Sequence, residues 1–119
     1  MKSIFATAFA LFMIIGGAQA QDAKTDLSIT AKYHINMIIP MGKCRIWPSI
    51  QNTSKSDYKD ITYQVQFFAG DGTAEGTTNI DYHDYVGPGT TKKIKEQYID
   101  CPKDCKSIVL SIVSGKKLD

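Results

Sequence analysis

Apolar and polar residues alternate along much of the chain. In LSITAKYHINM (residues 27–37), the apolar residues occupy every second position and polar residues fill the positions between them. Successive side chains of a β-strand point to opposite faces, so this period of two predicts a half-buried strand. The same alternation recurs at Tyr63, Val65 and Phe67, and it returns near the C-terminus in residues 108–113. No segment after residue 21 has the 3.6-residue period of an amphipathic helix.

Turn-forming residues separate these apolar runs. Regular short strands divided by Gly, Pro, Asn and Asp are typical of an all-β sandwich or barrel. We therefore predict a single small immunoglobulin-like antiparallel β-sandwich of about six to seven strands, essentially without helix. The predicted turns contain Pro40 and Gly42, residues 52–57 (NTSKSD), residues 70–72 (GDG), residues 87–89 (GPG) and residues 101–105 (CPKDC).

For two of the strands, the pattern also predicts which residues face the core. Cys44, Ile46 and Ile50 fall on one face of KCRIWPSIQ, whereas Trp47 falls on the other. Pro48 interrupts this run and has no backbone N–H, which predicts an edge strand or a bulge at that position. In the more polar strand at residues 92–99, the period of two places Ile94 and Tyr98 together on the apolar face.

The segment MKSIFATAFALFMIIGGAQA (residues 1–20) has the pattern of a signal peptide. Lys2 precedes a short apolar core, and Ala18 and Ala20 form an A-x-A cleavage site. The core is shorter than the ~20 residues of a transmembrane helix, which disfavours a membrane anchor. We therefore expect export to the periplasm or the extracellular space, and one domain over residues 21–119 with no membrane span. The formal net charge of +2 is too small to predict a nucleic-acid partner.

The order of motifs between residues 43 and 114 resembles the FxLYD-type immunoglobulin-like domains of exported bacterial proteins. The matching motifs are Asn52-Thr53-Ser54, the aromatic strand YKDITYQVQFF with its Asp-Gly turn, and Pro88-Gly89-Thr90. Residues 67–70 (FFAG) depart from the Leu-Tyr-Asp form of the signature. The resemblance implies a sandwich in which the Asn-Thr-Ser loop joins two strands across the sheets. It implies no catalytic site, because these domains share none.

The three cysteines give an odd count in a protein that is expected to meet oxidising conditions. We predict a disulfide between Cys101 and Cys105, because a turn at Pro-Lys-Asp brings their Cα atoms within about 7 Å. Cys44 is then a buried free thiol. The alternative bridge joins Cys44 to Cys101 or Cys105, which constrains the unfolded chain more strongly.

His34, Met37, Met41 and Cys44 suggest an alternative function as a soft-metal binding protein. Imidazole, thioether and thiolate ligands suit reduced copper. However, the odd spacing of His34 and Met37 places them on opposite faces of a strand. The simpler interpretation is an exposed histidine with two methionines that pack in the interior, and we expect no metal site and no cofactor.

A catalytic role is not expected. A Cys44–His83 pair could in principle act as a nucleophile and its base. Cys44 nevertheless shares its face with Ile46 and Ile50, which predicts a buried and inert thiol. The sequence also has no G-x-S-x-G or H-E-x-x-H motif.

Three aromatic residues point away from the predicted apolar stripes. Trp47, Phe68 and Tyr85 are therefore predicted to contribute an interaction surface, since exposed aromatic clusters mark interfaces. The expected function is that of an exported non-catalytic binding or structural accessory module. It would engage a protein partner through the edges or end loops of the sandwich. Self-association through a strand edge or through a free Cys44 is a further expectation.

Overall fold

The computed structural model describes residues 22–35 and 42–118, which form two antiparallel sheets of a β-sandwich. The predicted all-β fold is confirmed, and the helix in these residues is one short turn at residues 22–26. The predicted signal peptide lies outside the described residues. None of the described helices is long and apolar enough to cross a membrane. The strands are β1 (Leu27–His34), β2 (Lys43–Asn52), β3 (Asp57–Ala69), β4 (Ala74–Tyr82), β5 (Thr91–Lys93), β6 (Gln97–Asp100) and β7 (Cys105–Leu118).

Each sheet has one long central strand. In the first sheet, β2 pairs with β1 on one side and with β5 and then β6 on the other. In the second sheet, β3 lies between β4 and β7. Strands β1 and β7 also contact each other, so the two sheets approach along one edge.

The core lies between the sheets, as the alternation predicted. Ile46 and Ile50 of β2 are fully buried, and so are Tyr63 and Val65 of β3. The residues that alternate with them, such as Trp47, Ser49 and Gln64, are only partly buried, because they lie on the outer faces. Burying an aliphatic side chain such as Ile46, Ile50 or Val65 contributes about 1.5–3 kcal/mol to stability.

The predicted Asp-Gly hairpin is present between β3 and β4. Ala69 and Gly72 make the backbone hydrogen bonds of the turn, since Ala69 N–H donates to Thr73 O and Gly72 N–H donates to Ala69 O, both at 2.9 Å. Thr73 N–H also donates to the carboxylate of Asp71. Hydrogen bonds from the side chain and backbone of Thr73 lower the pKa of Asp71. The turn therefore stabilises the ionised carboxylate.

The edge-strand prediction for Pro48 is wrong, because β2 is the central strand of its sheet. The carbonyl of Pro48 accepts a hydrogen bond from Ile94 N–H at 2.8 Å. In an antiparallel ladder the N–H and C=O of one residue point to the same neighbour. The N–H that proline lacks would thus face the gap between β5 and β6. Proline is tolerated in a central strand here because the neighbouring ladder is interrupted opposite it.

The interruption contains one extra residue. Ile46 pairs with Gln97 and Ser49 pairs with Lys93, so two residues of β2 face three residues, 94–96, of the neighbouring chain. A one-residue shift moves the following side chains to the opposite face. Ile94 is buried as predicted, but Tyr98 is 47% exposed, and the prediction for Tyr98 is wrong.

The loop between β2 and β3 crosses from one sheet to the other and is organised by Asn52. This side chain is fully buried. Its amide donates to Ser56 O at 2.7 Å and to Val86 O at 2.9 Å. Its Oδ1 accepts hydrogen bonds from the N–H and the hydroxyl of Ser54 at 2.9 and 2.7 Å. Both amide hydrogens and both acceptor positions of Asn52 are therefore occupied.

The disulfide joins Cys44 to Cys101, with Cα atoms 5.8 Å apart. The predicted Cys101–Cys105 bridge is wrong, and Cys44 is not a free thiol. Ile99 pairs with Cys44 across the first sheet, which places Cys101 beside β2. Cys105 instead begins β7 in the second sheet, and the chain crosses between the sheets within the short loop. Cys105 is the free cysteine and is fully buried, with its thiol donating to Ser107 O at 3.3 Å.

Replacing Asn52 with Ala should destabilise the domain, because buried partners of its side chain lose their hydrogen bonds. We expect the free energy of unfolding to fall by about 2–3 kcal/mol. Urea denaturation followed by circular dichroism measures this change. Lys55→Ala in the same loop is the control, since Lys55 is exposed, and it should change stability by less than about 0.5 kcal/mol. Equal stabilities for the two variants would contradict the role assigned to Asn52.

Peptide mapping without reduction should recover the Cys44–Cys101 bridge. Trypsin cleaves after Arg45 and after Lys103, so Cys44, Cys101 and Cys105 fall in separate peptides. We expect one linked pair containing Cys44 and Cys101, and an alkylated Cys105 only after denaturation, because Cys105 is buried. Cys105→Ala should leave the linked pair unchanged. A linked pair that contains Cys105 in the wild-type protein would contradict the structure.

Candidate functional site

The outer face of the first sheet carries an aromatic and basic cluster centred on Trp47. Trp47 alternates with the buried Ile46, so it points away from the core. The pairing of β1, β2, β5 and β6 arranges its neighbours in rows across the sheet. The rows are Thr30–Ser49–Lys93, then Lys32–Trp47, then His34–Arg45–Tyr98.

A groove of about 710 Å³ follows this face, and we call it the outer-sheet groove. Trp47 and Pro48 lie along β2, residues 30–34 of β1 line one side, and Lys93 and Ile94 line the other. Its volume is within the range of roughly 300–1,000 Å³ that small-ligand sites occupy. The charged or titratable residues of its lining are Lys32, Tyr33, His34 and Lys93, and none of the lining residues is acidic.

Trp47 is held in place by its neighbours. The guanidinium carbon of Arg45 lies 4.8 Å from the centroid of the Trp47 ring and 5.8 Å from that of Tyr98. The His34 ring meets Trp47 edge to face, with centroids 5.5 Å apart. Glu96 fixes the far end of Arg45, since its carboxylate accepts from Nη1 at 3.2 Å. Trp47 therefore offers a preorganised surface to a ligand.

Two positive charges flank Trp47 without compensation. Arg45 pairs with Glu96, and Lys43 pairs with Asp100. Neither Lys32 nor Lys93 has an ion-pair partner within residues 22–35 and 42–118. Lys32 lies directly opposite Trp47 on β1, and Lys93 lies opposite Ser49 on β5. The groove consequently favours a ligand that carries negative charge.

The structure does not bring the predicted interaction residues together. Phe68 belongs to the second sheet, where it pairs with Ala74 and Ser107. Tyr85 precedes Val86, which bridges to Tyr58 near the start of β3. Tyr58 and Phe68 are ten residues apart on β3, a distance of roughly 33 Å along an extended strand. Trp47, Phe68 and Tyr85 therefore occupy three different places.

The aromatic and basic cluster around Trp47 contains residues that the alternation did not assign to an interaction surface. The alternation places Tyr98 on the apolar face, and it treats His34 as an exposed histidine or a metal ligand without a role in binding. Arg45 shares the outer face with Trp47 because the two are separated by one residue of β2. That spacing could have indicated their contact, whereas the position of Tyr98 depends on the extra residue between β5 and β6.

The copper-ligand set is not assembled. Met37 and Met41 lie outside the described residues. Cys44 is bridged and cannot supply a thiolate, and it faces the core while His34 lies on the outer face. In the part of the chain that the structure describes, no three His, Cys, Asp or Glu side chains group around a potential metal position.

The Cys44–His83 pair is also not formed. The bridge occupies the Cys44 sulfur, and the ring nitrogen of His83 lies 3.2 Å from the carboxylate of Asp60.

The hydroxyl of Tyr63 is buried in the core with no hydrogen-bond partner among the described residues. Burial raises the pKa of Tyr63 to about 12, so this phenol is neutral at physiological pH.

No protein-family model and no curated protein matches the chain. Among solved structures, the trimeric lipoprotein SadB of Salmonella enterica is similar, with a TM-score of 0.50 and 12% identity over 93% of this chain and 71% of SadB. A DUF1425 family member from Shewanella sp. pv-4 has a TM-score of 0.47 and 12% identity over 72% of this chain and 75% of its own. At such identities, the similarity to SadB supports the sandwich fold alone. The FxLYD-type resemblance is not confirmed.

Arg45→Ala should expose more of Trp47, because the guanidinium lies over one face of the indole ring. Trp47 is the single tryptophan of the chain, so intrinsic fluorescence reports on this position. We expect emission at longer wavelength and stronger quenching by acrylamide, with a loss of about 0.5–1 kcal/mol of stability. Lys59→Ala, which removes a similar cation from the ring of Tyr85, is the matched control and should leave the emission unchanged. An unchanged spectrum in Arg45→Ala would contradict the stacking.

Proposed function

We propose that the mature chain is an exported, non-catalytic binding module whose ligand or partner docks in the outer-sheet groove. The observation that carries this proposal is the position of Trp47, which its neighbours hold in place, between Lys32 and Lys93, which have no ion-pair partner among the described residues. Aromatic anchors held by their neighbours lose little conformational entropy on binding. Uncompensated charges next to them supply attraction and orientation.

The chemistry of the groove favours recognition over catalysis. Its polar side-chain groups are the hydroxyls of Thr30, Ser49 and Tyr33, two ammonium groups, one imidazole and the indole N–H of Trp47. A nucleophile requires a base within hydrogen-bond reach, whereas the imidazole of His34 packs against Trp47. Hydroxyl and ammonium groups around an aromatic ring are instead suited to holding a ligand through hydrogen bonds and contact area.

Export is supported by the cysteine chemistry. The Cys44–Cys101 bridge is typical of proteins that fold in an oxidising compartment. A signal peptide at residues 1–20 would deliver the chain there. The similar structure of SadB is that of a lipoprotein, which agrees with export. We propose the periplasm or the extracellular space as the place of action.

Self-association through a strand edge is a second candidate property. Strand β4 lies at the edge of the second sheet, with no further strand beside it in the part of the chain that the structure describes. Unpaired edges are templates for strand addition, and SadB is described as trimeric. The expected dimer through a free Cys44 is excluded, because Cys44 forms the disulfide with Cys101. Light scattering coupled to size exclusion should give a multiple of the monomer mass, and a monomer at every concentration would contradict this proposal.

Site-specific photo-crosslinking in the native cell tests the binding function. A diazirine amino acid at Ser49 reports on the groove, and one at the exposed Val109 on β7 serves as the control. We expect adducts at Ser49 that disappear when Trp47→Ala is added, and no such adducts at Val109. Adducts at Val109 but not at Ser49 would place the binding surface on the other sheet and overturn the assignment.

A further inference from the structure

We propose that the ligand of the outer-sheet groove is an acidic oligosaccharide, a chain of sugar rings that carries carboxylate groups. This inference rests on the proposed binding function and narrows it to one class of ligand. Three features of the groove lead to it: the spacing of the free charges, the surface between them, and the side chains that are already engaged.

The free charges are spaced across the sheet. Lys32 projects from β1 and Lys93 from β5, and β2 lies between these strands. Neighbouring strands are ~4.8 Å apart, and the two lysines are offset by two residues along β2, so their side chains start roughly 12 Å from each other. An ammonium group on a flexible stem binds a carboxylate as a point charge. Two such groups with neutral surface between them fit a ligand whose charges are separated along its length.

The surface between the charges is apolar and hydroxyl-bearing. Trp47 provides the apolar part, while Thr30 and Ser49 face each other across β1 and β2. A sugar ring has C–H groups on its faces, which pack against an indole, and hydroxyl groups on its rim. The rim hydroxyls can donate to and accept from Thr30 and Ser49. A polymer with alternating apolar and hydroxyl surface and spaced carboxylates therefore matches the groove.

Phosphate polymers and peptides fit less well. Arg45 has the fork geometry that suits phosphate, but Glu96 and Trp47 already engage it. The net charge of +2 also provides little of the long-range attraction on which nucleic-acid binding depends. Peptides that bind by strand addition use a sheet edge, whereas Trp47 lies on the central strand of its sheet. The carboxylated sugar polymer is the class that these contacts favour.

Titration with defined oligosaccharides tests the ligand class. The probes are short oligomers of galacturonate, of alginate and of hyaluronan, with methyl-esterified oligogalacturonate as the uncharged match. Calorimetry and Trp47 fluorescence follow binding to the mature protein. We expect at least one oligouronate to bind with an affinity that falls as salt rises, and the esterified oligomer not to bind.

Lysine variants test whether the oligouronate binds in the outer-sheet groove. The double variant Lys32→Ala and Lys93→Ala should bind the oligouronate about tenfold more weakly, because two exposed charge contacts are lost. Lys59→Ala together with Lys116→Ala removes the same charge from the second sheet and should leave the affinity unchanged. Equal losses in both double variants would show general charge attraction and overturn the proposal.

The outcomes separate the ligand class from the binding function. If no oligouronate binds, or if polyglutamate or single-stranded DNA binds as tightly, the sugar proposal is overturned. Crosslinks at Ser49 would still support the groove as the binding site in that case. If oligouronates bind and the lysine variants bind them equally well, the sugar site lies elsewhere and the groove assignment fails.

Discussion

The extra residue between β5 and β6 determines what reaches each face of the first sheet. Residues 94–96 oppose only Trp47 and Pro48, which reverses the alternation beyond that point. Ile99 and Cys101 consequently turn towards Cys44 and the core, and Tyr98 turns outwards onto Arg45. The disulfide and the aromatic cluster of the groove thus depend on the same local irregularity. A regular ladder would place Tyr98 inside and Cys101 on the wrong side of the sheet for Cys44.

A second constraint holds the two sheets in relation to each other. Asn52 ends β2, and its amide reaches the carbonyl of Val86, which also accepts from Tyr58 N–H at 3.1 Å. Asp26 adds to the same end of the sandwich, since it accepts from the Tyr58 hydroxyl at 2.7 Å. A buried polar network in which every partner is satisfied specifies one arrangement of its elements. This network also fixes one end of the groove. Asn52 is the last residue of β2, and its N–H donates to the carbonyl of Thr90, which directly precedes β5.

Local pattern was sufficient to predict the strands, the Asp-Gly hairpin and the outward direction of Trp47. Each of these depends on residues adjacent in sequence. The Cys44–Cys101 pair and the exposure of Tyr98 depend on the pairing of β2 with β6, and Lys95-Glu96 gives no sign of an irregularity. Pro48 did mark the irregularity, but it lies on the opposite strand. The separation of Trp47, Phe68 and Tyr85 was hidden for a similar reason, because alternation shows which side a residue takes within its strand and not which sheet the strand joins.

The placement of Cys105 has a consequence for oxidative folding. In an unfolded chain, Cys101 meets Cys105 far more often than it meets Cys44, because the entropy lost on closing a loop increases with its length. The nearby pair is therefore the kinetically preferred first product, while the folded sheets require the distant one. A chain that first joins Cys101 to Cys105 reaches the native bridge when the Cys44 thiolate attacks the sulfur of Cys101, which releases Cys105 as the leaving thiolate. Once folding buries Cys105, its thiol can no longer attack the Cys44–Cys101 bridge. The folded core therefore prevents the exchange from running backwards.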